Sequence, residues 1–189
     1  MPKVLMVCLG NICRSPMAEA VANHFVKIDS RRSVSFESAG TRPVPSADAD
    51  ARARSTLQSR GYALPKRRAR NVVGKDFERF DLILAMDSSS LAELQRRCPA
   101  QHQSKVRLFM SLAEPRLVPW PVDVPDPYYG NSQGFEKVLD LCEAGVKGLL
   151  KFDFRTGSES DRQQKSDWLP TPATMPGGGA RGGTRTRKP

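Results

Sequence analysis

Near the start of the chain, Cys8-Leu9-Gly10-Asn11-Ile12-Cys13-Arg14-Ser15 gathers two of its four cysteines around a glycine and an arginine. The segment follows the apolar run Val4-Leu5-Met6-Val7 and leads into Pro16. A loop that curls into a helix N-terminus aims its backbone N–H groups at one centre, and such a cradle binds an anion. Gly10 permits close backbone approach, and Asn11 tolerates left-handed geometry. Arg14 can grip two oxygens of a phosphate at once. Cys8, where the apolar run ends, would lie at the base of the cradle, where the helix end, the amides and Arg14 favour its thiolate. A thiolate beneath a bound phosphate is a nucleophile aimed at phosphorus. The spacing Cys-x5-Arg-Ser lets the chain leave Cys8, wrap the anion and return Arg14 to the rim. Ser15 then has its hydroxyl near the sulfur, where it would stabilise the departing thiolate as a phospho-enzyme breaks down. The plainer alternative, a strand-to-helix turn with two buried cysteines, gives Arg14 no reason to lie inside the turn.

Attack on phosphorus also needs a proton donor for the leaving oxygen. The two histidines are poorly placed: His24 falls on the first helical stretch and His102 in a polar loop, so both read as structural or solvated. Val124-Pro125-Asp126-Pro127-Tyr128-Tyr129-Gly130 offers a better donor. Prolines on both sides of Asp126 restrict the backbone and fix its direction. Tyr128 and Tyr129 would line a cleft for a flat substrate. Standing alone, the stretch would be only a Pro-Asp turn with surface tyrosines.

The elements that must position these groups follow from periodicity. A two-sided apolar run over 4–7 predicts a buried parallel strand. Ser15 as cap and Pro16 as first helical residue predict the helix start, and Met17, Ala20, Val21, His24 and Phe25 continue at helical spacing. Strands are expected over 33–38, closed by Gly40, over 82–86 and over 106–109. Helices are expected over 48–59, ended by Gly61, over 75–80 and over 88–98. After a proline-rich loop, a long amphipathic helix covers 132–151. Alternating strand and helix predicts a parallel sheet covered on both faces. Ligands in such sheets sit beyond the carboxyl ends of the strands, the edge at which Cys8 lies.

Composition bounds the rest. Hydrophobic residues make up 39% of the 189, but the apolar runs lie within 2–154. Residues 155–189, rich in Gly, Ser, Thr, Pro and Arg, cannot bury enough apolar surface to offset their ordering entropy. The expected organisation is one domain over 1–154 and a disordered basic tail over 155–189. The net charge is +10, and the tail's seven basic and three acidic residues supply +4 of it. A basic surface suggests acidic or phosphorylated partners. Nucleic acid is an unlikely one: no zinc-finger, RNP or homeodomain pattern is present, and the cluster Lys66-Arg67-Arg68-Ala69-Arg70 reads as a solvated face. The cysteines at 8, 13, 98 and 142 have no metal-ligand spacing. With no signal-peptide pattern and no 18-residue apolar stretch, a cytoplasmic protein with reduced thiols is expected. In that compartment clustered cysteines are more often chemical than structural.

Together these segments resemble the low-molecular-weight protein tyrosine phosphatases. Val7 through Pro16 match that family's phosphate loop, and Asp126-Pro127-Tyr128-Tyr129 its general-acid loop. Ser38-Ala39-Gly40-Thr41 and the segment from Phe80 to Asp87 match two more stretches in the right order, so the resemblance spans about 2–150. It implies an α/β three-layer sandwich, flavodoxin-like, with a four-stranded parallel sheet of order 2-1-3-4 and helices on both faces. It implies hydrolysis of phosphotyrosine on proteins through a cysteinyl-phosphate, with no cofactor and no metal. In those terms Cys8 attacks, Asp126 protonates the tyrosyl oxygen and then activates water, and Arg14 binds phosphate and stabilises the transition state. Leu9, Gly10, Asn11, Ile12, Cys13, Ser15, Tyr128 and Tyr129 would contact substrate, and Asn11 and Ser38 would hold the loop by hydrogen bonds. Cys13 would form a reversible disulfide with oxidised Cys8. The expected partner is a phosphotyrosine protein, not a membrane, and the expected state a monomer or weak dimer. Two positions depart from the family: Arg67 stands where a histidine is common, and Arg42-Pro43-Val44-Pro45 follows Thr41 where a cleft-wall aromatic is usual.

Three rival readings compete. Arsenate reductases share this fold and loop, but their relay needs two more cysteines near 81–90, where this chain has none. Phosphoarginine phosphatases typically carry Thr in place of Ile12 and Phe in place of Tyr128, so this chain favours phosphotyrosine. An idle module that binds phosphoproteins or nucleic acid would not need Cys8, Arg14 and Asp126 together, and a single Arg-Gly-Gly in the tail is weak evidence for it.

Overall fold

In the computed structural model, β1 (Lys3–Cys8) lies at the centre of a parallel sheet of order β2-β1-β3-β4, with β2 (Ser35–Gly40), β3 (Leu82–Ala85) and β4 (Val106–Leu108). The structure describes residues 1–29, 33–64, 66–114 and 123–156, and the backbone of 158–159. The strand order and the parallel pairing are those implied by the resemblance.

Side-chain alternation along β1 divides the core in two. Val4 and Met6 face a cluster with Met17, Val21, Leu57, Phe135 and Leu139. Those residues come from α1 (Arg14–Ile28), α2 (Ala51–Ser59) and α5 (Ser132–Leu149). Leu5 and Val7 face the opposite cluster, with Phe77, Ile83, Leu94 and Val106. That side is covered by α3 (Gly74–Arg79) and α4 (Ser88–Arg97). Each such large side chain removed from water contributes about 1.5–3 kcal/mol, so a strand buried on both faces is the rigid base of the site. Close approach also matters on α5. A Cβ on Gly148 would collide with the Leu112 carbonyl, so glycine there lets the helix seat against residues 109–112.

Local details differ from the sequence expectation. α1 begins at Arg14, with Cys13 as its cap residue and no side-chain cap bond, so Ser15 is not the N-cap and Pro16 is the third helical residue. The Ser15 hydroxyl is engaged by Cys8 and Asn11 instead, which removes it from capping. α2 starts at Ala51 because Asp50 caps it, accepting from the Arg52 amide at 2.8 Å. Phe109 leaves β4 for a 3-10 turn over Phe109–Leu112. Beyond Leu149, Phe152–Asp153 (β5) pairs antiparallel with Ser158–Glu159 (β6). The expected disordered tail falls, from 160 onward, outside the described residues, as do 115–122 of the proline-rich region. Among the described residues no helix is long and apolar enough to cross a membrane.

Candidate active site

Cys8 ends β1 at the carboxyl edge of the sheet, paired with Gly40 at the end of β2. The following turn is made by Asn11, whose φ of 54° is left-handed, a conformation asparagine tolerates better than most side chains. The Asn11 amide donates to Cys8 Sγ at 3.2 Å. Its side chain is a strut: Nδ2 donates to Ser15 Oγ at 3.0 Å and Ser38 Oγ at 2.9 Å, while Oδ1 accepts from the Arg70 amide at 3.0 Å. Ser15 Oγ sits 3.1 Å from Cys8 Sγ. Ser38 therefore bonds to the loop through Asn11.

The loop's carbonyls are tied outward. Cys8 O accepts from the Thr41 amide, Leu9 O from Arg42 and Ile12 O from Asp50, each at 2.9 Å. A trans peptide sets its N–H opposite its C=O, so the amides of Leu9, Gly10 and Cys13 turn the other way. Gly40 is what lets β2 come so close, since a Cβ there would lie 2.7 Å from Leu9 O and 3.2 Å from the Asn11 amide. Leu9 is partly exposed at the lip, and Ile12 packs against the larger core cluster.

Arg14 lies almost wholly buried at the start of α1. Nη1 bonds the Asp87 carboxylate and Val124 O, and Nη2 bonds Asp126 Oδ2 at 2.8 Å. Burial works against its charge, but Cys8, Asp126 and Asp87 outweigh it and raise the guanidinium above its ordinary value. At Asp87 burial likewise pushes the carboxyl up; the Ser90 amide and Arg14 win and hold it below its usual range. Asp126 also accepts from the Tyr128 amide at 3.1 Å. A cleft of about 340 Å³ lies here, lined by Leu9, Arg14, Asp87, Ser89, Asp123 and Asp126 among others. Tyr128 is half exposed and Tyr129 stands in solvent, edge-on to it at 5.1 Å.

Of the two departures, Arg67 proves to reach inward. Its Nε lies 3.3 Å from the buried Glu19, without hydrogen-bond alignment, and its Nη1 3.4 Å from Glu37. Burial raises the Glu19 carboxyl; a bond to Ser38 and the Arg67 charge oppose that. Cys13 is buried, and desolvation together with the Asp50 charge pushes its thiol up to about 12. All four cysteines are free. His24 packs edge-on against Tyr62 at 4.9 Å, and His102 lies in the 3-10 turn Ala100–Lys105.

Sequence reasoning missed Asp87, Glu19, and the Asp50–Arg52 pair. Asp87 was detectable: it directly follows a buried strand and precedes three serines, a helix-cap position at the same sheet edge as Cys8. Glu19 carried only the weak signal of a carboxylate on an otherwise apolar helix face.

Residues 3–162 match the family model of the low molecular weight phosphotyrosine protein phosphatases. The chain belongs to that family. A low molecular weight protein-tyrosine-phosphatase of Streptomyces coelicolor is 42% identical over 151 residues, covering 78% of this chain and 91% of that protein. The crystal structure of a protein tyrosine phosphatase from Entamoeba histolytica, with Hepes in its active site, superposes with a TM-score of 0.74 at 39% identity. It covers 79% of this chain and 95% of that one. The YwlE arginine phosphatase has the same fold, with a TM-score of 0.70 at 26% identity over 79% of this chain and 93% of its own. Family membership thus rests on the whole domain and not on the loop alone.

Proposed function

We propose that this phosphatase hydrolyses phosphotyrosine on proteins through a cysteinyl-phosphate, with Cys8 as nucleophile and Asp126 as acid and base. The observation that carries the reading is the convergence on Arg14, which joins the Cys8 loop to Asp126 through one buried guanidinium. In the first step Cys8 Sγ attacks phosphorus, the bond from phosphorus to the aryl oxygen breaks, and Asp126 gives that oxygen its proton. In the second, a water attacks phosphorus and passes a proton to Asp126 as the bond to sulfur breaks. Ser15 Oγ, 3.1 Å away, stabilises the departing thiolate. Backbone amides and Arg14 carry the charge of the transferring group throughout. An incoming phosphate competes with Asp126 for Arg14 Nη2, which frees the acid to face the leaving oxygen.

Depth supports an aryl substrate. Cys8 is 2% exposed, so phosphorus must be delivered to a sulfur that lies below the surface. A phosphotyrosine side chain is long enough; a phosphoserine would draw its own backbone into the rim. The further readings are a domain over 1–154 with a basic tail, a cytoplasmic setting that keeps the thiols reduced, a monomer or weak dimer, and protection of oxidised Cys8 by Cys13. Phosphate release from matched phosphotyrosine, phosphoserine and phosphoarginine peptides tests the substrate. Release should be fastest from phosphotyrosine. Equal or faster release from phosphoarginine would overturn the choice of substrate while sparing the nucleophile.

A further inference from the structure

Arg52, on the first turn of α2, bonds neither Cys8 nor Asp126, yet it joins the two loops that carry them. Its Nε and Nη2 donate to the Asp50 carboxylate at 3.1 and 2.8 Å. Nη2 also donates to Tyr128 O at 3.0 Å, and Nη1 to Gly130 O at 3.2 Å. The guanidinium carbon lies 4.7 Å from the centre of the Phe135 ring and 5.7 Å from that of Tyr128. Asp50 is itself fastened to the phosphate loop, its amide donating to Ile12 O at 2.9 Å. A continuous bonded path therefore runs from Ile12 through Asp50 and Arg52 to Tyr128.

We propose that Arg52 is a positioning residue for the general acid, holding the 126–130 turn at a set height and angle over the phosphate loop. The inference rests on Asp126 being that acid. Tyr128 is the point of control: its carbonyl is held by Arg52 while its amide donates to Asp126 Oδ1 at 3.1 Å. Fixing the residue at both ends fixes the direction of the Asp126 carboxyl. Besides the Arg14 bond to Asp126 Oδ2, for which an incoming phosphate competes, the turn is held chiefly by the Gly130 amide on Pro127 O at 3.0 Å. Arginine suits the task because its rigid fork serves two carbonyls and a carboxylate at once, with an aromatic face beneath it; a lysine point charge cannot. The pair is firmly ionised, since the bond from Arg52 holds the Asp50 carboxyl below its ordinary range.

A leaving-group series separates positioning from mere stabilisation of the fold. Full-length Arg52→Met, Arg52→Lys, Asp126→Asn and the Arg52→Met/Asp126→Asn double variant are compared by kcat/KM on phenyl and p-nitrophenyl phosphate, with melting temperatures alongside. Arg52→Met should lose about tenfold on phenyl phosphate and under about threefold on p-nitrophenyl phosphate, because only the poor leaving group depends on a well-aimed acid. Arg52→Lys should fall between wild type and Arg52→Met. In the Asp126→Asn background, adding Arg52→Met should cost less than about twofold, since the group it aims is gone. Equal losses on both substrates, or an undiminished loss in the double variant, would overturn the proposal. A flat leaving-group response in Asp126→Asn itself would instead condemn the assignment of the acid. Should Arg52→Met fail to fold, Arg52→Lys is read the same way: its loss must fall on phenyl phosphate.

Discussion

The two loops of the site are built to different standards. Within residues 8–15, Cys8, Asn11 and Ser15 form a closed ring of bonds that Ser38 ties to β2 through Asn11, and these four residues are all buried. Residues 123–130 are held by scattered tethers: the Val124 amide on Met86 O, Asp123 on Ser88, Asp126 on Arg14 and the Arg52 clasp. Asp126 and both tyrosines are substantially exposed. The difference matches the chemistry. Charge that develops on a transferring phosphoryl group is best met by dipoles that need no reorganisation. A proton donor must instead admit a substrate, give up a proton, take one from water and release product, so its loop needs room to adjust.

Cutting the rigid loop should have the largest effect. Cys8→Ser should lower turnover on the order of 10⁴-fold or more, as loss of a nucleophile does elsewhere, while affinity for a phosphate analogue such as vanadate stays nearly unchanged. Turnover close to wild type in that variant would remove Cys8 from the mechanism. The adjustable loop should fail more selectively. Asp126→Asn should cost about 10²-fold or more on phenyl phosphate and far less on p-nitrophenyl phosphate, whose leaving group hardly needs the proton. A uniform loss across leaving groups would make Asp126 structural.

Oxidation probes the same contrast at lower amplitude. Peroxide should convert Cys8 to its sulfenic acid, and the Cys13 thiol should then condense with it, forming the S–S bond and releasing water. Reductant should restore most activity in wild type but about threefold less in Cys13→Ser at the same peroxide dose. Because the Cys13 thiol is pushed up to about 12, trapping in wild type should quicken as pH rises. Equal recovery in the two proteins would leave Cys13 as a small buried residue of the loop.

The smallest effect concerns the support beneath the loop. Burial holds the Glu19 carboxyl above its ordinary value, so over a window starting near pH 4.3, the unperturbed glutamate value, the folded protein binds a proton that the unfolded chain has released. The stability linked to Glu19 is complete below that window and is lost as pH rises through the raised folded value. The melting temperature of wild type relative to Glu19→Gln should therefore fall from pH 4 to pH 7. A difference that does not change with pH would mean that Glu19 ionises as freely in the fold as outside it.

Legibility in the sequence followed how local each feature is. Cys8, Asn11, Arg14 and Ser15 lie within one turn of chain, so their spacing alone implied an anion cradle. The strands 4–7 and 82–86 were visible because burial on both faces leaves a continuous apolar run. The sequence places the start of α1 at Pro16 with Ser15 as its cap, whereas the helix begins at Arg14, because the hydroxyl that reads as a cap is engaged by a sulfur seven residues earlier. Asp126 was found through its flanking prolines, but nothing near it revealed that it would pair with Arg14.

By itself, then, the sequence determined the chemistry available: a nucleophile, an anion grip and an acid, each on a segment whose local pattern sets its backbone. It also determined the sheet, because short continuous apolar runs alternating with helical stretches leave few other ways to cover both faces. Only the tertiary structure decided which groups meet. Asp87 and Asp126 reach Arg14 across 73 and 112 residues of chain, and Arg52 reaches Tyr128 across 76. Glu19 becomes a buried carboxyl facing Ser38 of β2 and Arg67 only in the folded protein. Such contacts depend on how helices and loops pack at the carboxyl edge of one sheet, and packing at long sequence separation leaves no periodic trace in the chain that produces it.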